Sequence, residues 1–200
     1  MNNKEEVKKH FEDIAEEYDR WKRKNNYYYT LLKNFYKRHI PVGSAVVEFG
    51  YGTGEILASC DPARGLGIDI SGKLINIAKR RYPQYEFKID DVEKFLTNSK
   101  FDYVIMSDAI DHLSNMPLAL ENVQRVLSPG GKLIITSINS LWNPIFGLLE
   151  KLKLKMPKGP HCFVPNRFIE FICELKGFKV VSKGALIFIP KKNTPNLRYA

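Results

Sequence analysis

Glu48-Phe49-Gly50-Tyr51-Gly52-Thr53-Gly54 places a carboxylate beside three glycines at alternate positions, directly after the apolar pair Val46-Val47. Glycine reaches positive φ and brings backbone N–H groups to a ligand with no Cβ in the way, so the pattern predicts a small-molecule cradle at a strand-to-helix joint. A turn that only connects two elements is the competing reading. Further acids follow short apolar runs at Asp69, Asp91 and, after Ser107, Asp108. His112 and His161 lie in segments where a proton acceptor would be useful, because imidazole titrates near neutrality. For each, a packing or surface role is the weightier alternative.

Spacing limits the ligand. A dinucleotide fingerprint needs G-x-G-x-x-G and an acid about 20 residues on. Here the third glycine comes one position early, Glu55 stands where that fingerprint has its last glycine, and Asp69 arrives too soon. No G-K-[ST] follows, so a β- or γ-phosphate would have no grip.

The elements that must hold these residues can be read in order. Val7, Phe11, Ile14, Ala15 and Tyr18 recur at spacings of three and four, which predicts an amphipathic helix from Lys4 to Tyr18. A second helix carries Leu31, Leu32, Phe35 and Tyr36 and stops at Pro41-Val42-Gly43. After the glycine loop come a helix from Glu55 to Cys60, a strand from Gly65 to Ile70, a helix capped by Ser71 and a strand from Tyr85 to Ile89. A strand from Tyr103 to Met106, a helix from Leu118 to Leu127 and a strand from Lys132 to Ile138 follow. This alternation implies parallel pairing with right-handed crossovers, and ligands in such sheets bind beyond the carboxyl ends of the strands. Glu48, Asp69, Asp91 and Asp108 all fall at that edge. The tail reads as a helix from Phe168 to Leu175, then a hairpin of Phe178–Val181 and Leu186–Ile189 about Lys183-Gly184.

Two hundred residues with 44% apolar content suit one domain with its own core. The longest apolar runs are too short to span a bilayer, and no apolar signal core opens the chain, so a cytoplasmic protein is expected. Cys60, Cys162 and Cys173 are odd in number and lack C-x-x-C spacing, which indicates neither a disulfide framework nor a metal site. The net charge is +9. Solvated faces account for most such charge, yet Arg20-Trp21-Lys22-Arg23-Lys24 with Tyr27-Tyr28-Tyr29, and Lys151-Leu152-Lys153-Leu154-Lys155, keep contact with an anionic membrane, nucleic acid or an acidic substrate open.

The run E-x-G-x-G-x-G followed by an acid at the end of the next strand resembles class I S-adenosylmethionine (SAM)-dependent methyltransferases of the small-molecule and lipid type, similar to methyltransferase type 11. Arg125-Val126-Leu127-Ser128-Pro129-Gly130-Gly131 resembles the turn before their fifth strand. Phe101–Ile105 with Ile110-Asp111-His112-Leu113 resembles their fourth strand and the segment after it. The resemblance covers about three quarters of the chain. It implies a Rossmann-like doubly wound α/β fold, with a mostly parallel seven-stranded sheet, an antiparallel C-terminal hairpin and N-terminal cap helices. It further implies that Glu48, Gly50, Gly52 and Gly54 surround the methionine part of SAM. Asp69, with Ile70 after it, takes the ribose hydroxyls, Asp91 and Val92 read the adenine, and Tyr18, Ser107 and Asp108 lie close by. Tyr51 stands where the family often has cysteine, and Asp108 with Asp111 puts two acids where many relatives have one. Asn143-Pro144-Ile145-Phe146 superficially resembles the motif of amino-directed nucleic-acid methyltransferases, but it comes after strand five where that motif comes after strand four.

The expected activity is methyl transfer from SAM, leaving S-adenosylhomocysteine (SAH), to an O, N or C atom of a small-molecule or lipid acceptor by in-line displacement. His161 and His112 are candidate acceptor bases or orienting groups. The expected layout is one domain over 1–200: cap helices at 1–40, SAM-binding core at 44–140, substrate lid at 141–165, closing helix and hairpin at 166–200. A monomer or homodimer is expected, with no metal. The alternatives are an RNA or protein methyltransferase, nucleic acid being the less favoured partner, and a SAM-binding protein without catalysis.

Overall fold

The computed structural model describes residues 4–138, 143–162 and 164–186. The chain begins with three helices, α1 (Lys4–Ile14), α2 (Tyr18–Lys24) and α3 (Asn26–His39). Alternation follows: β1 (Ala45–Phe49), α4 (Glu55–Ser59), β2 (Arg64–Asp69), α5 (Gly72–Arg81), β3 (Glu86–Ile89), β4 (Phe101–Ser107), α6 (Met116–Val126), β5 (Leu127–Thr136), α7 (Asn143–Lys151) and α8 (Asn166–Leu175). The strands pair in parallel in the order β3-β2-β1-β4-β5. Order reverses between β1 and β4, so the crevice beyond their carboxyl ends is where such a sheet receives a ligand.

Two-residue periodicity sorts β1 between two cores. Val46 packs with Leu32 and Tyr36 of α3 and Ile40 just after it, Ile56 and Leu57 of α4, and Ile75 and Ala78 of α5. Val47 and Phe49 face the other way, onto Ala119, Val123 and Val126 of α6. Glu48 falls on the face of α4, and that placement decides its role.

Two expectations are corrected, the sheet with its hairpin and the first helix. Among the described residues the sheet has five strands, all parallel, and neither the seven strands nor the antiparallel hairpin is present. Residues 178–186 are not in strand, and Val181 is 77% exposed, so its side chain gains nothing from a sheet edge; residues 187–189 lie outside the described residues. The first helix stops at Ile14, and a tight turn with Glu17 N donating to the Ile14 carbonyl restarts the chain as α2 at Tyr18. No α-helix joins β3 to β4; Asp91 closes a turn by accepting from Lys94 and Phe95, and Phe95 buries its ring edge-on to Phe49.

Candidate active site

The glycine loop is built from β1 outward. Gly50, Gly52 and Gly54 have φ of +73°, +58° and +80°, a region that disfavours any side chain. A Cβ at Gly50 would lie 2.6 Å from that of Ala109, because the loops after β1 and β4 touch at the switch point. Gly54 caps α4 without a side chain, and Glu48 supplies the missing acceptor, taking the Leu57 N–H at 2.9 Å. Glu48 is 1% exposed, and burial pushes its carboxyl up to about 8 against the Leu57 hydrogen bond and Lys22. Tyr51 turns away from the crevice and stacks on Phe87 at 5.0 Å, in space left by Gly67.

Asp69 ends β2 with its carboxylate held by backbone. Gly52 N donates to one oxygen and Ser71 N to the other, each at 2.9 Å. Burial raises it to about 6, opposed by those bonds and one from Ile70 N–H. Ile70 itself is half-buried. Beyond β3, Asp91 and Glu93 share the Lys4 ammonium at 2.6 Å each, and Val92 is buried with its carbonyl bound by Asn122. Glu12, also on α1, accepts from the Ser71 hydroxyl at 3.1 Å. The first helix is thus bound to the ends of β2 and β3 through Lys4 and Glu12.

The opposite wall is a polar network. Asp108 has φ +53°, uncommon for a residue with a Cβ. Its carboxylate accepts from the Tyr28 hydroxyl and from Thr136 Oγ1 at 3.2 Å, and Tyr36 meets the same threonine at 3.1 Å. Burial raises the Asp108 pKa against both donors. Ser107 pairs with Thr136 in register. His112 donates Nδ1–H to the Pro160 carbonyl at 2.9 Å, since a carbonyl can only accept, which leaves the lone pair on Nε2. Burial pulls this imidazole down to about 4, so it is neutral at physiological pH. His161 lies with its ring 6.3 Å from that of His112, its Nδ1 donating to the Gly159 carbonyl. Residues 157–162 close against this wall: Lys158 reaches buried Asp111 at 3.7 Å, and His10 meets the Pro157 carbonyl at 3.1 Å.

Tyr18 stands over the loop. Its hydroxyl would lie 3.0 Å from a Cβ at Gly52, which is a second reason for glycine there. Beside it Lys22, 7% exposed, directs its ammonium to Thr53 Oγ1 at 3.3 Å and over the rings of Tyr18 and Tyr29 at 5.0 and 5.1 Å. The nearest carboxylate, Glu55, is 3.9 Å away, and desolvation lowers the lysine's pKa against the pull of Glu55 and Glu48. A cavity of about 390 Å³ opens on the outer side of this lysine, bordered by Asp19, Arg23, Lys33, Glu55 and Arg81. That cavity is not the crevice between the strand ends.

The structure therefore brings Tyr18, Glu48, the three glycines, Asp69 and Ile70 together on one side of the switch point, and Ser107, Asp108, His112 and His161 on the other. Asp91 and Val92 lie at the β3 edge. Lys4, Glu12, Lys22, Tyr28 and Tyr29 were missed. For Tyr28 a signal existed, since it shares the i, i+4, i+8 stripe of Leu32 and Tyr36; Lys22 is hidden in a basic run and Lys4 in a charged terminus. Of the three tyrosines read as a polyanion surface, only Tyr27 is exposed. No group of three His, Cys, Asp or Glu side chains among the described residues is placed to hold a metal ion.

A glycine cradle at the switch point, flanked by acids at successive strand ends, defines the Rossmann-like class I SAM-dependent methyltransferases. The chain belongs to the methyltransferase domain family, which matches residues 18–183, and SAM is its cofactor. An uncharacterised protein of Methanocaldococcus jannaschii is 30% identical over 181 residues, covering 89% of this chain and 85% of that one. The mitochondrial ubiquinone biosynthesis O-methyltransferase of Rattus norvegicus is 26% identical over 165 residues. That match covers 74% of this chain but 48% of the rat protein, so this chain spans about half the length of that relative. In fold, a SAM-dependent methyltransferase of Thermotoga maritima, described as a possible histamine N-methyltransferase, superposes with a TM-score of 0.72 at 23% identity, over 86% of this chain and 81% of its own.

Proposed function

We propose that this methyltransferase acts on an O, N or C atom of a small, largely apolar acceptor, and that the chain works as one domain in which 1–40 cap, 44–140 hold the cofactor, 141–165 form the lid and 166–200 close the fold. The observation that carries the reading is the double roof over the crevice. From one side α1 to α3 reach the strand ends through Lys4, Glu12, Tyr18 and Tyr28, and from the other residues 157–162 reach Asp111 and His112. A crevice covered from two sides suits a small acceptor better than a folded RNA or protein. The rat relative's name, with its ubiquinone biosynthesis and O-methyl transfer, supports an apolar acceptor.

When bound, SAM supplies a methyl group already activated on a sulfonium. The protein's task is then to position and to exclude water, and orientation alone lowers such barriers by about 7–11 kcal/mol. In this reading Gly50, Gly52 and Gly54, whose own N–H groups donate to Ile68, Asp69 and Tyr51, let the methionine part lie against backbone with no Cβ in the way, Asp69 accepts the ribose hydroxyls, and Asp91 and Val92 hold the adenine. Lys22, a buried ammonium whose nearest carboxylate is 3.9 Å away, binds the amino-acid carboxylate of the cofactor. Tyr18, Ser107 and Asp108 line the methyl side. His112, neutral with its tautomer fixed, orients the acceptor, and His161 on the closing segment takes its proton where one must leave. Methyl-labelled SAM offered with a panel of phenols, quinols, amines and lipids beside RNA and protein tests this. Label in an apolar small acceptor is expected, and label only in RNA or protein overturns it.

A further inference from the structure

Lys24 and Lys153 stand 129 residues apart in the chain, yet Lys24 Nζ donates to the Lys153 carbonyl at 3.2 Å. The exposed parts of the two basic clusters therefore meet in one patch, while Trp21 and Lys22 are buried. Its centre is aliphatic. Ile145 and Leu148 of α7, with Leu152 in the turn that continues it, sit at i, i+3 and i+7, the spacing of a stripe that ordinarily faces a core. Here the stripe faces outward: Leu148 and Leu152 are each 58% exposed, and Leu154 is 56% exposed. Lys151 and Lys153 flank it, both exposed, while the neighbouring Glu150 is bound by Lys155 at 3.0 Å.

We propose that this patch docks the protein on an anionic lipid bilayer. Aliphatic side chains framed by lysines match the boundary between acyl chains and anionic headgroups. A second copy of this chain, carrying the same +9 charge, is repelled by it, and a single-stranded nucleic acid would want aromatic rings for its bases where these are leucines. The patch runs directly into residues 157–162, which close over Asp111 and His112. Docking thus sets the acceptor side of the crevice at the membrane surface, where an apolar acceptor is concentrated. That purpose rests on the acceptor reading above; the docking itself does not.

The test is co-sedimentation with vesicles of phosphatidylcholine alone and of phosphatidylcholine mixed with phosphatidylglycerol, with SAH binding measured on every variant as the folding control. The wild-type chain is expected on the mixed vesicles at least ~10-fold more than on the neutral ones, given roughly fivefold per lysine near an anionic surface. Leu148→Glu with Leu152→Glu, and separately Lys151→Glu with Lys153→Glu, are each expected to lose at least ~10-fold while still binding SAH. Equal or absent partition of the wild type overturns the proposal. So does a leucine variant that stays bound, and so does a patch that retains RNA and not vesicles. Docking in a protein that methylates no apolar acceptor leaves the interface standing and removes the acceptor reading.

Discussion

The burial of Glu48 makes stability depend on pH. Its folded value of about 8 lies above the usual 4.5, so between those values the folded chain holds a proton that the unfolded chain has released. Stability from this group is complete below 4.5 and is lost as pH rises through 8; Asp69, raised to about 6, acts in the same direction. Glu48→Gln keeps an oxygen for the Leu57 N–H and cannot ionise. Denaturant midpoints of the cofactor-free wild type should fall from about pH 6 to about pH 8 more steeply than those of the variant, and equal slopes would contradict the buried-acid account. Tyr51 presents a simpler case, a buried hydroxyl with no hydrogen-bond partner among the described residues. Tyr51→Phe should raise stability by about 1 kcal/mol, and a loss measured by urea unfolding would mean the hydroxyl has a partner. For Lys22 the discriminating ligand is 5′-methylthioadenosine, which lacks the amino-acid carboxylate. Lys22→Met should weaken SAH by ~10-fold or more and leave methylthioadenosine unchanged, whereas equal weakening would assign the lysine to packing.

At the scale of elements, α5 shows how sequence and tertiary contact combine. Ser71 accepts from Leu74 N at 3.3 Å as a side-chain cap, which its place before Gly72 already predicted. Its hydroxyl is also the donor to Glu12, which no local pattern announces. Ser71→Ala should cost about 1 kcal/mol in thermal or denaturant unfolding from the cap alone. The five parallel strands were legible because each is a short stretch carrying apolar residues and bounded by an acid or a glycine turn, even β3, where Glu86-Phe87-Lys88-Ile89 buries only Phe87. Val180 and Val181 have the same β-branched character as those strands, and what they lack among the described residues is a paired strand, which composition does not report. The break after Ile14 was equally hidden, because Tyr18 continues the apolar spacing of α1 while its ring is held over Gly52 by a new helix. The glycine cradle and the acids at the strand ends were readable from their types and order; Lys4 and Lys22 were not, because a lysine held by acids or rings looks like any other lysine until those neighbours are known.

The whole molecule depends on its N-terminal cap in a way that its charged composition hides. Leu32, Tyr36 and Ile40 are almost wholly buried and form one cluster with β1, α4 and α5. Removing residues 1–40 would bare that face as well as the crevice. Such a truncation should lose cooperative unfolding by calorimetry, and a sharp transition would show that the cap is an accessory. The central claim concerns the crevice that the cap covers, and it is tested most directly by titrating SAH into wild type and Asp69→Ala calorimetrically. Removal of a charged acceptor of two hydroxyls is expected to weaken SAH by roughly 10- to 100-fold, with the fold retained by circular dichroism. Equal affinity in the two proteins would place the cofactor's ribose elsewhere and contradict the account.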